Sequence, residues 1–277
     1  MSTVYLRAGS LEQARDWLLE HPDARLLAGG QSLLPAIRLG LSSPSHLIDL
    51  QDLAALRVLD ASGLRLDIGA MVPHARVAAD PEVGRRWPMI GRLAAGIADA
   101  QVRAVGTIGG SLANNDPAAC WPAGVLACGA RIHTDRRVID ADDFFAGLFA
   151  TALEAGELIV RISFPAIERA SYLKFEQPAS RFALVGVAVA RLAADGAVRV
   201  ALTGLGQGVC RWTEAEDRLC DRFDPDAIDG LAINADDAAS DLHASAQYRA
   251  HLAGVLLRRA VAAAGAQSVS NFNAGES

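Results

Sequence analysis

Residues 26–35 read Leu26-Leu27-Ala28-Gly29-Gly30-Gln31-Ser32-Leu33-Leu34-Pro35. A related stretch further on reads Val105-Gly106-Thr107-Ile108-Gly109-Gly110-Ser111-Leu112-Ala113-Asn114-Asn115-Asp116-Pro117. Each sets a double glycine beside hydroxyl and amide side chains, with apolar residues on both flanks. Glycine lets the backbone turn where a side chain forbids it, and lets a ligand reach bare N–H groups. Successive N–H groups in such a turn make a concave anion site, and a helix starting just after adds its positive end. Two such loops in one chain point to a long ligand with a phosphate-bearing centre, a dinucleotide. Around the first loop, Arg25 to Ala28 predict a short buried strand and Leu33 to Leu39 a helix with Pro35 in its first turn. Strand, glycine loop and helix start then follow in the order a phosphate loop requires.

Working outward, Ser10-Leu11-Glu12-Gln13 fits a capping box, and Leu11, Ala14 and Leu18 continue at helical spacing to a stop near His21-Pro22. His46 to Leu50 predict a strand. Leu56 to Asp60 and Leu64 to Gly69, around Ala61-Ser62-Gly63, predict a hairpin. Pro73 to Ala79, Pro88 to Ala98 and Ala118 to Cys128 predict helices; Arg131 to Thr134 and Leu158 to Phe164 predict strands. Pro165 marks a boundary. Beyond it, Ser171 to Glu176, Leu184 to Leu192 and Val198 to Gly204 predict a three-strand meander with Asp195-Gly196 as a tight turn. Thr213 to Cys220, Pro225 to Ala232 and Ser245 to Ala264 predict helices, and Ser268 to Ser277 a loose polar tail. The fold class is α+β, with a small N-terminal βα lobe and a larger mixed lobe each supplying one glycine loop.

The two loops carry a family resemblance. Ala28-Gly29-Gly30-Gln31-Ser32-Leu33-Leu34-Pro35 resembles the first FAD loop of the FAD-binding (medium) subunits of molybdenum hydroxylases, the carbon monoxide dehydrogenase and xanthine dehydrogenase group. Thr107-Ile108-Gly109-Gly110-Ser111, continued by Asn115-Asp116-Pro117-Ala118-Ala119, resembles the second. Lys174-Phe175 followed by Pro178-Ala179-Ser180 resembles the start of that family's C-terminal domain. The resemblance implies a two-lobed FAD-binding domain of the PCMH type, residues 1–54 and 55–167, and a small C-terminal domain, residues 168–277, of a three-stranded sheet with helices. It implies FAD contacts from Leu27, Ala28, Gly29, Gly30, Gln31, Ser32, Leu33, Ala98, Thr107, Ile108, Gly109, Gly110, Ser111, Asp116, Cys120, Ile159 and Lys174. Many relatives carry an acidic residue where this chain has Cys120, a departure that separates the position from its family role. The family binds FAD non-covalently. The resemblance also implies partners: a large subunit with the molybdopterin cofactor and a small subunit with [2Fe-2S] clusters, assembled as a dimer of heterotrimers. This chain would relay electrons to an external acceptor such as NAD⁺ or a quinone.

Each residue also has a plainer reading. Gly-Gly pairs serve ordinary turns. Ser32 suits the cap of the helix that begins at Leu33, Thr107 and Ser111 suit turn chemistry, and Asp116 suits a cap for the helix near Ala118. Ile159 fits a core strand and Lys174 a solvated strand tip. Gly204-Leu205-Gly206-Gln207-Gly208 lacks the Rossmann spacing and reads as a strand-end turn. Two other functions stand beside the relay: a stand-alone FAD-dependent oxidase or dehydrogenase, and a non-catalytic assembly subunit.

The composition narrows these choices. The chain of 277 residues is 51% hydrophobic, enough for a real core, and its net charge of −6 argues against a nucleic-acid surface. Arg92, Arg103, Arg131, Arg136 and Arg137 are scattered and read mostly as solvated surface. The six histidines show no metal-ligand pairing, and Cys120, Cys128, Cys210 and Cys220 have neither Cys-x-x-Cys nor cluster spacing. The N-terminus has no apolar signal core and no apolar run is long enough to span a membrane, so a cytoplasmic protein with reduced thiols is expected.

Overall fold

The computed structural model describes residues 3–266; the predicted tail from Ser268 lies outside them. The first lobe runs β1 (Val4–Arg7), α1 (Leu11–Glu20), β2 (Arg25–Leu27), α2 (Leu33–Arg38) and β3 (His46–Asp49). Its strands form a parallel sheet in the order β1-β3-β2. β1 is absent from the sequence reading because four residues at a chain end carry little periodicity. α1 begins as predicted: Ser10 accepts from the Gln13 N–H at 3.1 Å, while the Gln13 amide reaches back to the Gly9 N–H at 2.7 Å. A small core under this sheet joins Ala14, Ile48, Leu53, Leu56, Met71 and Leu158.

The second lobe runs β4 (Leu59–Asp60), β5 (Leu66–Gly69), α3 (His74–Ala79), α4 (Pro81–Arg86), α5 (Pro88–Ala95), α6 (Ala100–Val105), α7 (Ile108–Asn114) and α8 (Cys120–Ala127). It continues through β6 (Arg131–Thr134), β7 (Val138–Asp140), α9 (Ala141–Phe144), the small hairpin β8 (Phe145–Gly147) and β9 (Ala150–Thr151), and β10 (Ile159–Phe164). β10 inserts antiparallel between β5 and β6, giving the order β4-β5-β10-β6-β7. The predicted hairpin survives only as β4 and β5, because residues 54–57 close into a single 3₁₀ turn. The predicted helix to Ala98 stops at Ala95. A turn follows, and α6 starts from it, capped by Asp99, which accepts from Val102 N–H at 2.8 Å.

The C-terminal part runs β11 (Ile167–Glu176), β12 (Ala183–Leu192), β13 (Val198–Thr203), β14 (Cys210–Arg211), α10 (Thr213–Asp221) and α11 (Ala246–Gly265). The meander has the predicted order and gains β14 as a short fourth strand. Gly196 turns between β12 and β13 at φ +72°. Gly204, at φ +75°, ends β13 with its N–H on Pro117 O, a strand-end turn as read from its spacing. The predicted helix over Pro225–Ala232 is one 3₁₀ turn, Pro225–Ile228. β12 is apolar over its first eight residues because both sheet faces are covered. Ala188, Ala190 and Ala201 meet the α8 side, while Val185, Val187 and Val189 meet Leu252, Leu256 and Leu257 of α11. Each such aliphatic side chain contributes ~1.5–3 kcal/mol when fully buried. Among the described residues, no helix is long and apolar enough to cross a membrane.

Candidate cofactor site

The first glycine loop leaves β2 and turns through Gly30 at φ +68°, a conformation a side chain resists. Gly29 is needed for a different reason. A Cβ there would lie 2.2 Å from Val105 O and 2.7 Å from Gly106 Cα, so this backbone rests directly on the end of α6. A Cβ on Gly110 would lie 3.5 Å from that of Ala28. The two motifs, far apart in sequence, therefore meet. Among the described residues the N–H groups of Gly30, Gln31 and Ser32 reach no protein acceptor. Ser32 precedes α2 and its carbonyl accepts from Ala36 N–H at 3.1 Å, but its hydroxyl makes no cap bond and stays available. The Gln31 amide donates to Gly29 O at 2.9 Å and braces the turn.

The second motif is not an open loop. Ile108, Gly109, Gly110 and Ser111 lie inside α7, and their amides are engaged. Gly110 N–H donates to the Thr107 hydroxyl at 3.1 Å, Gly109 N–H to Ala70 O at 3.0 Å and Ser111 N–H to Thr107 O at 3.0 Å. Gly109 is required by packing, since a Cβ there would come within 2.6 Å of the Ala70 Cβ. Sequence reading treats these glycines as turn formers; the Thr107 cap and the close pass over Ala70 override that tendency. What α7 keeps free is side-chain chemistry, because the Ser111 hydroxyl and Asn114 amide have no partner among the described residues.

Below α7, His74 and Trp121 support the motif. His74 N–H donates to Gly106 O at 2.9 Å, and Trp121 Nε1–H donates to His74 Nδ1 at 3.1 Å. That bond fixes a neutral imidazole with its proton on Nε2. Burial, aided by the Arg103 charge, pulls the His74 pKa down to about 4. At the other end of α7, Asn115 is fully buried at φ +42° and donates to Gly147 O at 2.8 Å and Ala150 O at 2.7 Å. Its Oδ1 has no partner. Asp116 accepts from Ala118 N–H at 2.9 Å in a turn ahead of α8; it does not cap that helix.

A further wall joins the lobes. The Lys174 ammonium donates to Gly96 O at 2.7 Å and Arg181 O at 2.6 Å, and its side chain is 6% exposed, far from a solvated tip. Cys120 is buried beside it; burial pushes the thiol pKa up, with the Lys174 charge opposing. The Tyr172 hydroxyl is buried against the Cys120 thiol, and burial and that neighbour together hold the hydroxyl in its protonated form. Ala98 sits in the turn after Gly96 at φ +42°. Ile159 lies in β10 within the second core. Arg103, read from sequence as surface, is half-buried, and its guanidinium holds the carbonyls of Ile97 and Ala98. No sequence signal marks this contact.

Free amides at Gly30–Ser32, hydroxyls at Ser32 and Ser111, and the orphaned buried Oδ1 of Asn115 make a donor–acceptor set suited to a ligand with phosphate and polyol groups. The residues present fit FAD.

Residues 1–167 match the FAD binding domain in molybdopterin dehydrogenase, and residues 170–264 the CO dehydrogenase flavoprotein C-terminal domain. The chain belongs to the family of FAD-binding subunits of molybdopterin-dependent dehydrogenases. It is 35% identical over 276 residues to the nicotine 6-hydroxylase medium subunit of Paenarthrobacter nicotinovorans, covering 95% of this chain and 98% of that one. It is 35% identical to the carbon monoxide dehydrogenase medium chain of Hydrogenophaga pseudoflava, covering 88% of this chain and 90% of that one. Among solved structures it superposes on a chain of the cyanide-inactivated Cu,Mo-CO dehydrogenase with a TM-score of 0.89, at 32% identity, covering 97% of this chain and 99% of that one.

Proposed function

We propose that the chain is the electron-transfer subunit of a molybdenum hydroxylase complex. In this reading it takes electrons from the [2Fe-2S] clusters of a small partner subunit, fed by a large molybdenum-cofactor subunit, and passes them to an external acceptor. The observation that carries the reading is the contact between the two glycine motifs, Gly29 on Val105 and Gly106, beside unengaged amides. FAD supplies the redox chemistry when bound, and the protein supplies binding, orientation and electrostatics.

The residues divide that work. The N–H groups of Gly30, Gln31 and Ser32 and the Ser32 hydroxyl take the pyrophosphate. Leu27, Ala28, Gly29 and Leu33 shape that cradle. Thr107, Ser111 and Asp116 face the polyol side, with Ile108, Gly109 and Gly110 holding α7 close enough to β5 to present them. Ala98, Cys120, Ile159 and Lys174 line the remaining wall. Attachment is non-covalent, since a buried thiol with a raised pKa is a poor nucleophile. Similarity to a medium subunit and a medium chain supports a heteromeric assembly, which we read as a dimer of heterotrimers. Four free cysteines fit a cytoplasmic location.

Acid precipitation of the purified chain tests the cofactor assignment. About one flavin per chain should leave with the supernatant. Colour that stays with the pellet contradicts non-covalent binding, and a colourless chain that takes up no added FAD contradicts the site.

A further inference from the structure

We propose that Arg103 is a positioning residue for the cofactor site, holding the turn at Gly96–Ala98 in the shape in which Ala98 meets FAD. The inference rests on the placement of Ala98 and Lys174 at that site. Arg103 Nη1 donates to Ile97 O at 2.8 Å and to Ala98 O at 2.7 Å. From β11 of the C-terminal sheet, Lys174 Nζ donates to Gly96 O at 2.7 Å. Three successive carbonyls are thus held by two cations.

Holding them this way requires an unusual backbone. Ala98 sits at φ +42°, a region that disfavours any residue with a Cβ. Alanine has no side-chain group to stabilise that shape, so the surroundings impose it. Asn115, also at φ +42°, shows the contrast: its own amide secures its position. The Ala98 turn leads at once into Asp99, which caps α6, and α6 carries Arg103 back over the turn. The same helix ends at Val105–Gly106, where Gly29 of the first loop packs. The Arg103 clamp therefore sits between the Ala98 wall and the junction of the two glycine motifs. A guanidinium suits this role because it stays charged and its Nη1 carries two N–H groups, one for each of the neighbouring carbonyls.

The test compares FAD dissociation constants of wild type, R103A and R103A/A98G, each stripped of flavin and titrated with FAD, alongside melting temperatures. R103A should bind FAD about tenfold more weakly, the factor that ~1.4 kcal/mol represents. R103A/A98G should regain most of that affinity, because glycine adopts the left-handed turn without the clamp. A melting-temperature loss in R103A with unchanged FAD affinity would overturn the inference, as would a double variant that binds no better than R103A. Should R103A fail to fold, R103M takes its place. Methionine keeps the packed stem but donates no hydrogen bond, so a loss of affinity like that of R103A is expected, and wild-type affinity would overturn the proposal. A wild-type chain that takes up no FAD would instead overturn the functional assignment itself.

Discussion

The adjacent glycines of the first loop do different jobs, and substitution separates them. At Gly29 a Cβ would meet backbone, 2.2 Å from Val105 O, with no flexible atom to yield. At Gly30 the nearest atom is Leu34 Cδ1 at 2.9 Å, which can move, but φ +68° strains any residue with a side chain by ~1–3 kcal/mol. G29A should therefore push the two motifs apart and lose FAD affinity more severely than G30A, as FAD titration of both variants would show; equal wild-type affinity in G29A contradicts the contact. The cysteines make a second residue-scale prediction. Cys120 and Cys128 are buried, and burial pushes the Cys128 pKa up to about 12, whereas Cys210 and Cys220 are exposed. Iodoacetamide at about pH 8, near the ordinary thiol pKa, should label Cys220 in the native chain, and Cys210 more slowly, because desolvation pushes the Cys210 thiol pKa up. It should reach Cys120 and Cys128 only after unfolding, and native labelling of Cys120 would contradict its packing. The glycine pairs were legible in sequence because their motif is local. The Lys174 contact to Gly96 was not, because the two lie 78 positions apart, and the local Arg103 contacts were not, because the left-handed turn at Ala98 that they need has no sequence signature.

At the scale of elements, sequence reading succeeded where a cap or an alternating pattern is local, as in α1 behind Ser10 and the meander from β11 to β13. It missed α4 and α6, although Asp80 and Asp99 cap them, because both are six residues long and weakly periodic. It read α7 as a loop because two glycines lower helix propensity by ~1 kcal/mol each. The Thr107 cap and the packing of Gly109 on Ala70 offset that cost. The pair beneath α7 makes a pH prediction. The His74 pKa falls from 6.5 unfolded to about 4 folded, so its contribution is whole above pH 6.5 and is lost as pH falls towards 4. The loss is on the order of 3 kcal/mol. H74Q removes this titration. Its melting temperature should be lower than wild type at neutral pH but should fall less steeply between pH 6.5 and 4. Parallel profiles would show that His74 is not held neutral by burial.

At the scale of the molecule, three cores share one frame. β10 closes the second lobe between β5 and β6, and the face of the C-terminal sheet opposite α11 packs on α8. The Thr203 hydroxyl, at the end of β13, shares its single proton between Pro117 O at 2.6 Å and Ala119 O at 2.8 Å, so the C-terminal sheet grips the segment that leads from α7 into Cys120. Lys174 does the same for the Gly96 turn. The C-terminal sheet is thereby part of the scaffold of the cofactor site. The succession of lobes was legible from the order of motifs and strands. These grips were not, because they join residues more than seventy positions apart. An electron-relay subunit oxidises no organic substrate itself. Stopped-flow absorbance of the flavin tests it most directly, with the substrate of the intact complex added first to the isolated flavin-loaded chain and then to the chain with its iron–sulfur and molybdenum partners. The account predicts no substrate-driven bleaching in the isolated chain and rapid bleaching in the complex; rapid bleaching of the isolated chain by that substrate would contradict it.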